Sequence, residues 1–128
     1  MKRIWISLAL ILAIAGLSAW HVIHLGQVTR QLTDLLTQAE QQVRQGDWAQ
    51  AEALTREAQG QWDKHAFYFH ATMHHEDIDA VLVSFHEVLA YLEGQEQQPA
   101  EYAAANSRLM TQIALLLEGE LPSFKNLL

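Results

Sequence analysis

The chain has 128 residues, half of them hydrophobic, no cysteine, and a net charge of −7 at pH 7 with histidines neutral. This length allows one domain, and the lack of cysteine excludes disulfides, thiolate nucleophiles and zinc–thiolate sites. Beyond Gly26 there are six basic and fifteen acidic residues, a net charge of −9. Because such a surface repels phosphate backbones, we expect no nucleic-acid binding.

The first 25 residues have the character of a transmembrane anchor. Lys2 and Arg3 precede an apolar run over residues 4–23 in which only three residues are polar. Twenty helical residues span about 30 Å, the thickness of the hydrocarbon core of a bilayer. Trp5 and Trp20 lie near the two ends, where indole rings prefer the headgroup region. We therefore expect residues 4–23 to cross a lipid bilayer.

The charges that flank this run also predict its orientation. Since the nearby positive charges precede the run, the positive-inside rule places the N-terminus in the cytoplasm. Residues 1–25 are then a cytoplasmic stub and a signal-anchor helix at the cell membrane, and residues 26–128 are an extracytoplasmic domain. The alternative is a signal peptide cleaved before Gly16, after a small-x-small sequence. Because the apolar run continues past that position, we favour the uncleaved single-pass anchor.

Four amphipathic segments follow in chain order. Apolar residues recur there at spacings of three and four, which is the period of a helix. The stripes run over residues 28–43, 48–73, 78–92 and 102–117. No segment alternates with period two. The predicted fold is all-α: an N-terminal transmembrane helix followed by an antiparallel bundle of about four helices.

The predicted helix ends rest on glycine, proline and aspartate. Gly46 is expected to stop one helix, and Asp47 to cap the next with Gln50 at its third position. Gly94 is expected to end the third helix, and Pro99 to open the fourth, where a missing amide costs nothing. We expect that last helix to end at Gly119 and Pro122.

Two tryptophans share a face of the second predicted helix. Trp48 and Trp62 are 14 residues apart, or four helical turns. Large aromatic residues at helical spacing usually carry burial. Both are therefore predicted to be structural residues that pack in the core.

Histidines concentrate in the middle of the chain, where five of the seven are His65, His70, His74, His75 and His86. His70 and His74 are four residues apart, a spacing that allows two ligands on one helix. From His75 to Asp79 the sequence resembles the zinc-protease motif His-Glu-x-x-His, with Asp79 at the second histidine position. No third ligand follows at a recognisable distance. We therefore predict no metal site, with His70, His74, His75 and Asp79 as the candidates if one exists.

A structural role for these residues is favoured over metal binding. On a helix, His75, Asp79 and His86 fall within about 40° of one another, at one border of the apolar stripe. A histidine–carboxylate hydrogen bond would satisfy two half-buried polar groups there and fix the neighbouring helix. We expect His75 and Asp79 to form this pair.

Several short motifs together carry a family resemblance. They are Lys2-Arg3, Asp47-Trp48-x-x-Ala51-Glu52, Trp62-x-Lys64-His65, His75-Glu76-x-Ile78-Asp79 and Ser123-x-x-Asn126-Leu127-Leu128. On these motifs the chain resembles an uncharacterised family of Gram-positive bacteria, domain-of-unknown-function family 4363. The similarity covers nearly the whole chain and implies a single-pass, extracytoplasmic helical protein with no assigned activity. The chain departs from the family pattern in its extra histidines near residues 65–75 and its fewer lysines.

The sequence contains no catalytic or cofactor motif, so we do not expect an enzyme. The first hypothesis is a non-catalytic interaction or accessory module that binds a membrane-protein partner or associates with itself. The alternative is an extracytoplasmic ligand- or metal-binding module that uses residues 65–86. A signalling sensor is disfavoured because the cytoplasmic side offers only Met1, Lys2 and Arg3.

Overall fold

The computed structural model describes residues 2–66, 69, 71 and 75–127, the last stretch from residue 117 by its backbone alone. Within these residues there are four helices and no strand: α1 Lys2–Arg44, α2 Trp48–Lys64, α3 His75–Glu93 and α4 Pro99–Leu127. The prediction of an all-α chain with a long apolar N-terminal helix is confirmed.

The helix α1 is unbroken over 43 residues, about 65 Å. The sequence pattern suggested an anchor followed by a separate helix that begins near Val28, but the two are one helix. The glycine at the expected boundary, Gly26, keeps helical backbone angles, and its carbonyl accepts a hydrogen bond from the Thr29 hydroxyl at 3.1 Å. A single glycine costs only about 1 kcal/mol inside a helix, which is too little to break one that is stabilised on both sides.

The turn between α1 and α2 is the one predicted. Gly46 has a φ of 85°, a left-handed conformation that favours glycine. Its N–H donates to Val43 O at 2.9 Å, and the N–H of Asp47 donates to Gln42 O at 2.8 Å. These two bonds form a Schellman motif. The Asp47 carboxylate then accepts a hydrogen bond from the Gln50 N–H at 3.0 Å and caps α2.

Two predicted helix ends were wrong. The helix α2 ends at Lys64 instead of continuing to residue 73, which lies outside the described residues. Its last turn is closed by the His65 N–H, which donates to Trp62 O at 3.1 Å. At the other end of the chain, α4 continues through Gly119 and Pro122 to Leu127. Glycine and proline weaken a helix by about 1 and 3 kcal/mol without forbidding it, and a leucine-rich stretch precedes them.

The four helices form a ring in which α1 packs against α2 and α4, and α3 packs against the same two helices. Consecutive helices are antiparallel. The core contains most of the predicted apolar stripes, including Trp62, Phe69, Phe85 and Tyr102. One stripe position on α3, Leu82, is outside the core and 37% exposed.

Candidate functional site

One end of the bundle combines the features that are least typical of a water-soluble helical domain. We call it the base: α1 enters the bundle there at Leu25, α2 ends there, and α3 begins there. The first part of α1, residues 2–24, protrudes from the base. In this part no side chain is buried, whereas Leu25 is 0% exposed.

The protruding part of α1 is apolar on all sides. Its most apolar stretch of 18 residues has a mean hydropathy of 2.1, and none of that stretch is buried. The large exposed hydrophobic side chains are Ile4, Trp5, Ile6, Leu8, Leu10, Ile11, Leu12, Ile14, Leu17, Trp20 and Ile23. A helix of this length and composition is able to cross a membrane, and a signal sequence has the same character.

A row of rings connects the protruding helix with the core. The Trp20 and His24 rings stack with centroids 5.0 Å apart and planes within 5°. His24 meets His65 edge to face at 5.2 Å, and His65 lies 6.0 Å from Phe69. Phe69 continues the row to Trp62 at 4.7 Å. We call this row the aromatic ladder: Trp20, His24, His65, Phe69 and Trp62.

The electrostatics of the ladder favour a neutral imidazole at its centre. Burial lowers the pKa of His65 below its ordinary value of 6.5, and the nearby His24 and Lys64 lower the pKa further. A neutral imidazole is the form that packs best against apolar rings and also the form that ligates metals. Sequence reasoning singled out His65 but missed His24. The available signal was a histidine one helical turn after Trp20, at the end of the apolar run.

Of the two tryptophans predicted to pack in the core, Trp62 does so and Trp48 lies at the edge of the core. Trp62 is 2% exposed and lies in the core, where its ring is also 6.4 Å from Phe85. Trp48 is half-buried and meets the ring of Tyr102 edge to face at 5.9 Å.

The predicted pair of His75 and Asp79 lies in a more exposed environment than was assumed. His75 is the first residue of α3, and His75, Asp79 and His86 are all exposed. The half-burial assumed for them is therefore wrong, because neither α2 nor α4 covers that border of α3. The hydrogen bond between His75 and Asp79 stays a prediction.

The structure describes two of the four residues named as candidate metal ligands, His75 and Asp79. His70 and His74 lie outside the described residues. Across the ranges 2–66 and 75–127, together with residues 69 and 71, no three His, Asp or Glu side chains come close enough to hold a metal ion. Two imidazoles do meet in the ladder, those of His24 and His65.

A polar seam, which the sequence did not reveal, sets the register of α1 against α4. Asn106 is fully buried, and its Nδ2 donates to the Leu36 carbonyl at 3.1 Å. One turn earlier on α4, Tyr102 is also fully buried; burial, and secondarily the charge of Glu40, raises the pKa of its hydroxyl. The phenol thus stays protonated. The seam is structural, and it fixes where along α1 each turn of α4 lies.

A shallow cleft opens between α3 and α4 at the base. Its volume is about 90 Å³, and its lining residues are Asp77, Ala80, Gln112, Leu115 and Leu116. Leu115 is 54% exposed, whereas the next residue, Leu116, is buried in the core.

Comparison with known proteins gives one match. A family model described as "Domain of unknown function (DUF4363)" matches residues 19–127. The match therefore includes the whole bundle and the last six residues of the protruding part of α1. No curated protein and no solved structure matches the chain.

Proposed function

The chain belongs to the DUF4363 family, and on that premise we propose that it is a membrane-anchored, non-catalytic interaction module. In this proposal residues 4–23 cross the cell membrane and the bundle stands on the extracytoplasmic side. One observation carries it: within a single unbroken helix, the side chains change at Leu25 from a predominantly apolar stretch in which none is buried to a stripe that is buried in a core.

The energetics of the protruding helix support the anchor. Removing one large aliphatic side chain from water is worth about 1.5–3 kcal/mol. The protruding helix exposes eleven large hydrophobic side chains, so its exposure to water would be strongly unfavourable. A bilayer removes this cost, and the helix satisfies its own backbone hydrogen bonds there. Lys2 and Arg3 before the span favour a cytoplasmic N-terminus.

The junction between anchor and bundle supports a positioning role. The anchor enters the bundle without a flexible linker, and the aromatic ladder ties it to the end of α2. The bundle would therefore stand at a fixed height and orientation above the bilayer. This suits a module that presents a defined surface to a membrane-protein partner or to another copy of the chain.

The outer face of α3 is the surface best suited to such a contact. Within the described part of the bundle, the large hydrophobic side chains that stay exposed are Leu82, Val83 and Leu115. Two of them are adjacent on α3, with exposed Asp79 and His86 beside them. An apolar centre with a polar rim is typical of a protein interface.

The experiment is photo-crosslinking in native membranes. A photoreactive amino acid replaces Val83 in one variant and Glu57, an exposed residue on α2, in the control. We expect the Val83 variant to give a crosslinked species of discrete mass, and the Glu57 variant to give much less of it. Monomer alone from both variants, with the protein still resistant to alkaline extraction, would contradict the interaction role while leaving the anchor intact.

Binding of a metal ion by the histidine segment, residues 65–86, is the second candidate. The contact between His24 and His65 favours it, since imidazole is a preferred ligand of zinc, copper and nickel. The test adds zinc to the full chain in detergent and follows thermal unfolding. Metal binding predicts that zinc raises the melting temperature of the unaltered chain. His65→Gln should remove this rise, and His86→Gln, at an exposed site on α3, should reduce it or leave it unchanged. No rise for the unaltered chain would exclude this candidate.

A further inference from the structure

The position of α4 relative to the anchor follows from two contacts. Asn106 on α4 donates a hydrogen bond to the backbone of Leu36, and Tyr102, one turn earlier on α4, lies close enough to Glu40, one turn later on α1, to feel its charge. Because α1 and α4 are antiparallel, each later residue of α4 lies beside an earlier residue of α1. Leu25, where α1 leaves the core, comes eleven residues before Leu36. The matching level on α4 is therefore near residue 117.

The helix α4 does not end at that level. Its backbone stays helical to Leu127, ten residues further. At 1.5 Å per residue this is about 15 Å of helix beyond the base. It leaves the base on the same side as the protruding part of α1, so two helices point in the direction of the proposed membrane.

The composition of this end of α4 suits the surface of a bilayer better than water or the bilayer centre. Of the residues from position 115 onward, half are large and apolar: Leu115, Leu116, Leu117, Leu121, Phe124, Leu127 and Leu128. Glu118, Glu120 and Lys125 lie among them, and charges at the bilayer centre are costly. Glu118 and Glu120 come within three residues of the base level at residue 117, so they match the end of the span and not its middle.

We propose that the end of α4, residues 115–127, is a second membrane contact that enters the outer half of the lipid bilayer beside the anchor. The inference rests on the proposed function, because it requires residues 4–23 to cross that bilayer. Leu115, whose side chain is exposed, is the first residue of the contact and lies two residues before the level at which α1 leaves the core. With two contacts, the bundle cannot rotate freely about the axis of α1.

The chain contains no cysteine, so single cysteines can be introduced for spin labelling of the full chain in vesicles of phosphatidylcholine and phosphatidylglycerol. The test position is Phe124→Cys, and Lys125→Cys is a second one in case the first variant misfolds. Leu12→Cys marks the middle of the anchor, and Gln95→Cys marks the turn at the far end of the bundle. The measurement compares accessibility to oxygen, which concentrates in lipid, with accessibility to a water-soluble nickel chelate.

We expect the oxygen-to-nickel ratio at position 124 to be severalfold higher than at 95 and lower than at 12. If the oxygen-to-nickel ratio at position 124 equals that at position 95 while the label at position 12 lies in lipid, this inference is wrong. The proposed anchor would still hold in that case. A label at 124 shielded from both reagents would also overturn it, because the helix end would then pack against protein. If position 12 were as accessible to nickel as position 95, the proposed function would fail as well.

Discussion

The two halves of α1 have the same backbone and different surroundings. Residues 2–24 are predominantly apolar around the whole helix and none of their side chains is buried, whereas residues 25–44 carry one apolar stripe that packs against α2 and α4. A helix that is apolar all round needs an apolar environment on every side, and an amphipathic one needs it on one side only. The comparison shows that the distribution of apolar residues, not the helix itself, decides which environment each half requires.

The boundary between the halves is sharp because polar rings mark it. His21 and His24 interrupt the apolar run just before Leu25, and Trp20 stacks on His24. Indole and imidazole rings each combine an apolar face with a polar edge, so they suit the border between lipid and water. The contact of His24 with His65 joins this boundary between the halves to the end of α2.

A matched pair of arginine substitutions has the largest expected effect on this comparison. Leu36→Arg places an unpaired charge in the core and should unfold the bundle, because a buried charge without a partner costs several kcal/mol. Leu12→Arg should leave the bundle folded and weaken membrane insertion by about 3 kcal/mol. The measurements are thermal unfolding in detergent and the fraction retained in membranes after alkaline extraction. The two halves would not be independent if either variant lost both properties.

A pair of tryptophan substitutions comes next. Trp62→Ala removes a buried ring and should lower the free energy of unfolding by about 3–5 kcal/mol. Trp20→Ala removes a ring that is 56% exposed and stacks on His24 at the outer end of the ladder, so the bundle should unfold within a few degrees of the unaltered chain. Equal melting temperatures for the Trp62→Ala variant and the unaltered chain would show that the core assignment is wrong.

A pair of glycine substitutions in or just after α1 should have opposite signs. Gly46→Ala forces alanine into a left-handed conformation and should destabilise the bundle by about 1–2 kcal/mol. Gly26→Ala adds a methyl group where nothing lies within 4 Å, inside a regular helix, and should stabilise it by about 0.5–1 kcal/mol. Chemical unfolding of both variants tests the signs. Destabilisation by Gly26→Ala would mean that the junction needs a flexible backbone.

Much of this fold was predictable from periodicity and turn chemistry. The stripes on α1 and α3, the Schellman turn at Gly46 and the start of α4 at Pro99 all depend on contacts within a few residues, which a sequence displays directly. The continuity of α1 through Gly26 was not predictable in this way. It depends on whether the segments on both sides are held by their surroundings, and a local pattern does not contain that information.

The candidate site was harder to predict than the fold. The edge contact between His24 and His65 joins residues that are 41 positions apart and depends on where α2 ends. Likewise, helical angles placed His75, Asp79 and His86 together correctly on one side of α3. An angle does not say whether a neighbouring helix covers that side, and in the structure these three residues are exposed.

The smallest expected effect concerns Asp79, compared with Asp47 at the first turn of α2. The Asp47 carboxylate accepts a hydrogen bond from the Gln50 backbone, so Asp47→Ala should cost about 1 kcal/mol. Asp79 is exposed on α3, and substitutions at exposed positions usually change stability by less than about 0.5 kcal/mol. We therefore expect Asp79→Ala and Asp79→Asn to unfold at nearly the same denaturant concentration as the unaltered chain.

The comparison of the two Asp79 variants also decides whether the predicted pair with His75 stabilises the bundle. A stabilising pair would make Asp79→Ala cost about 1–3 kcal/mol and Asp79→Asn clearly less, because asparagine keeps an acceptor oxygen in the same place. Equal and small effects mean that any hydrogen bond between the two side chains is balanced by their hydration in water. In that case the exposed side of α3 keeps Asp79 and His86 for a reason other than stability, which agrees with the contact surface proposed around Val83.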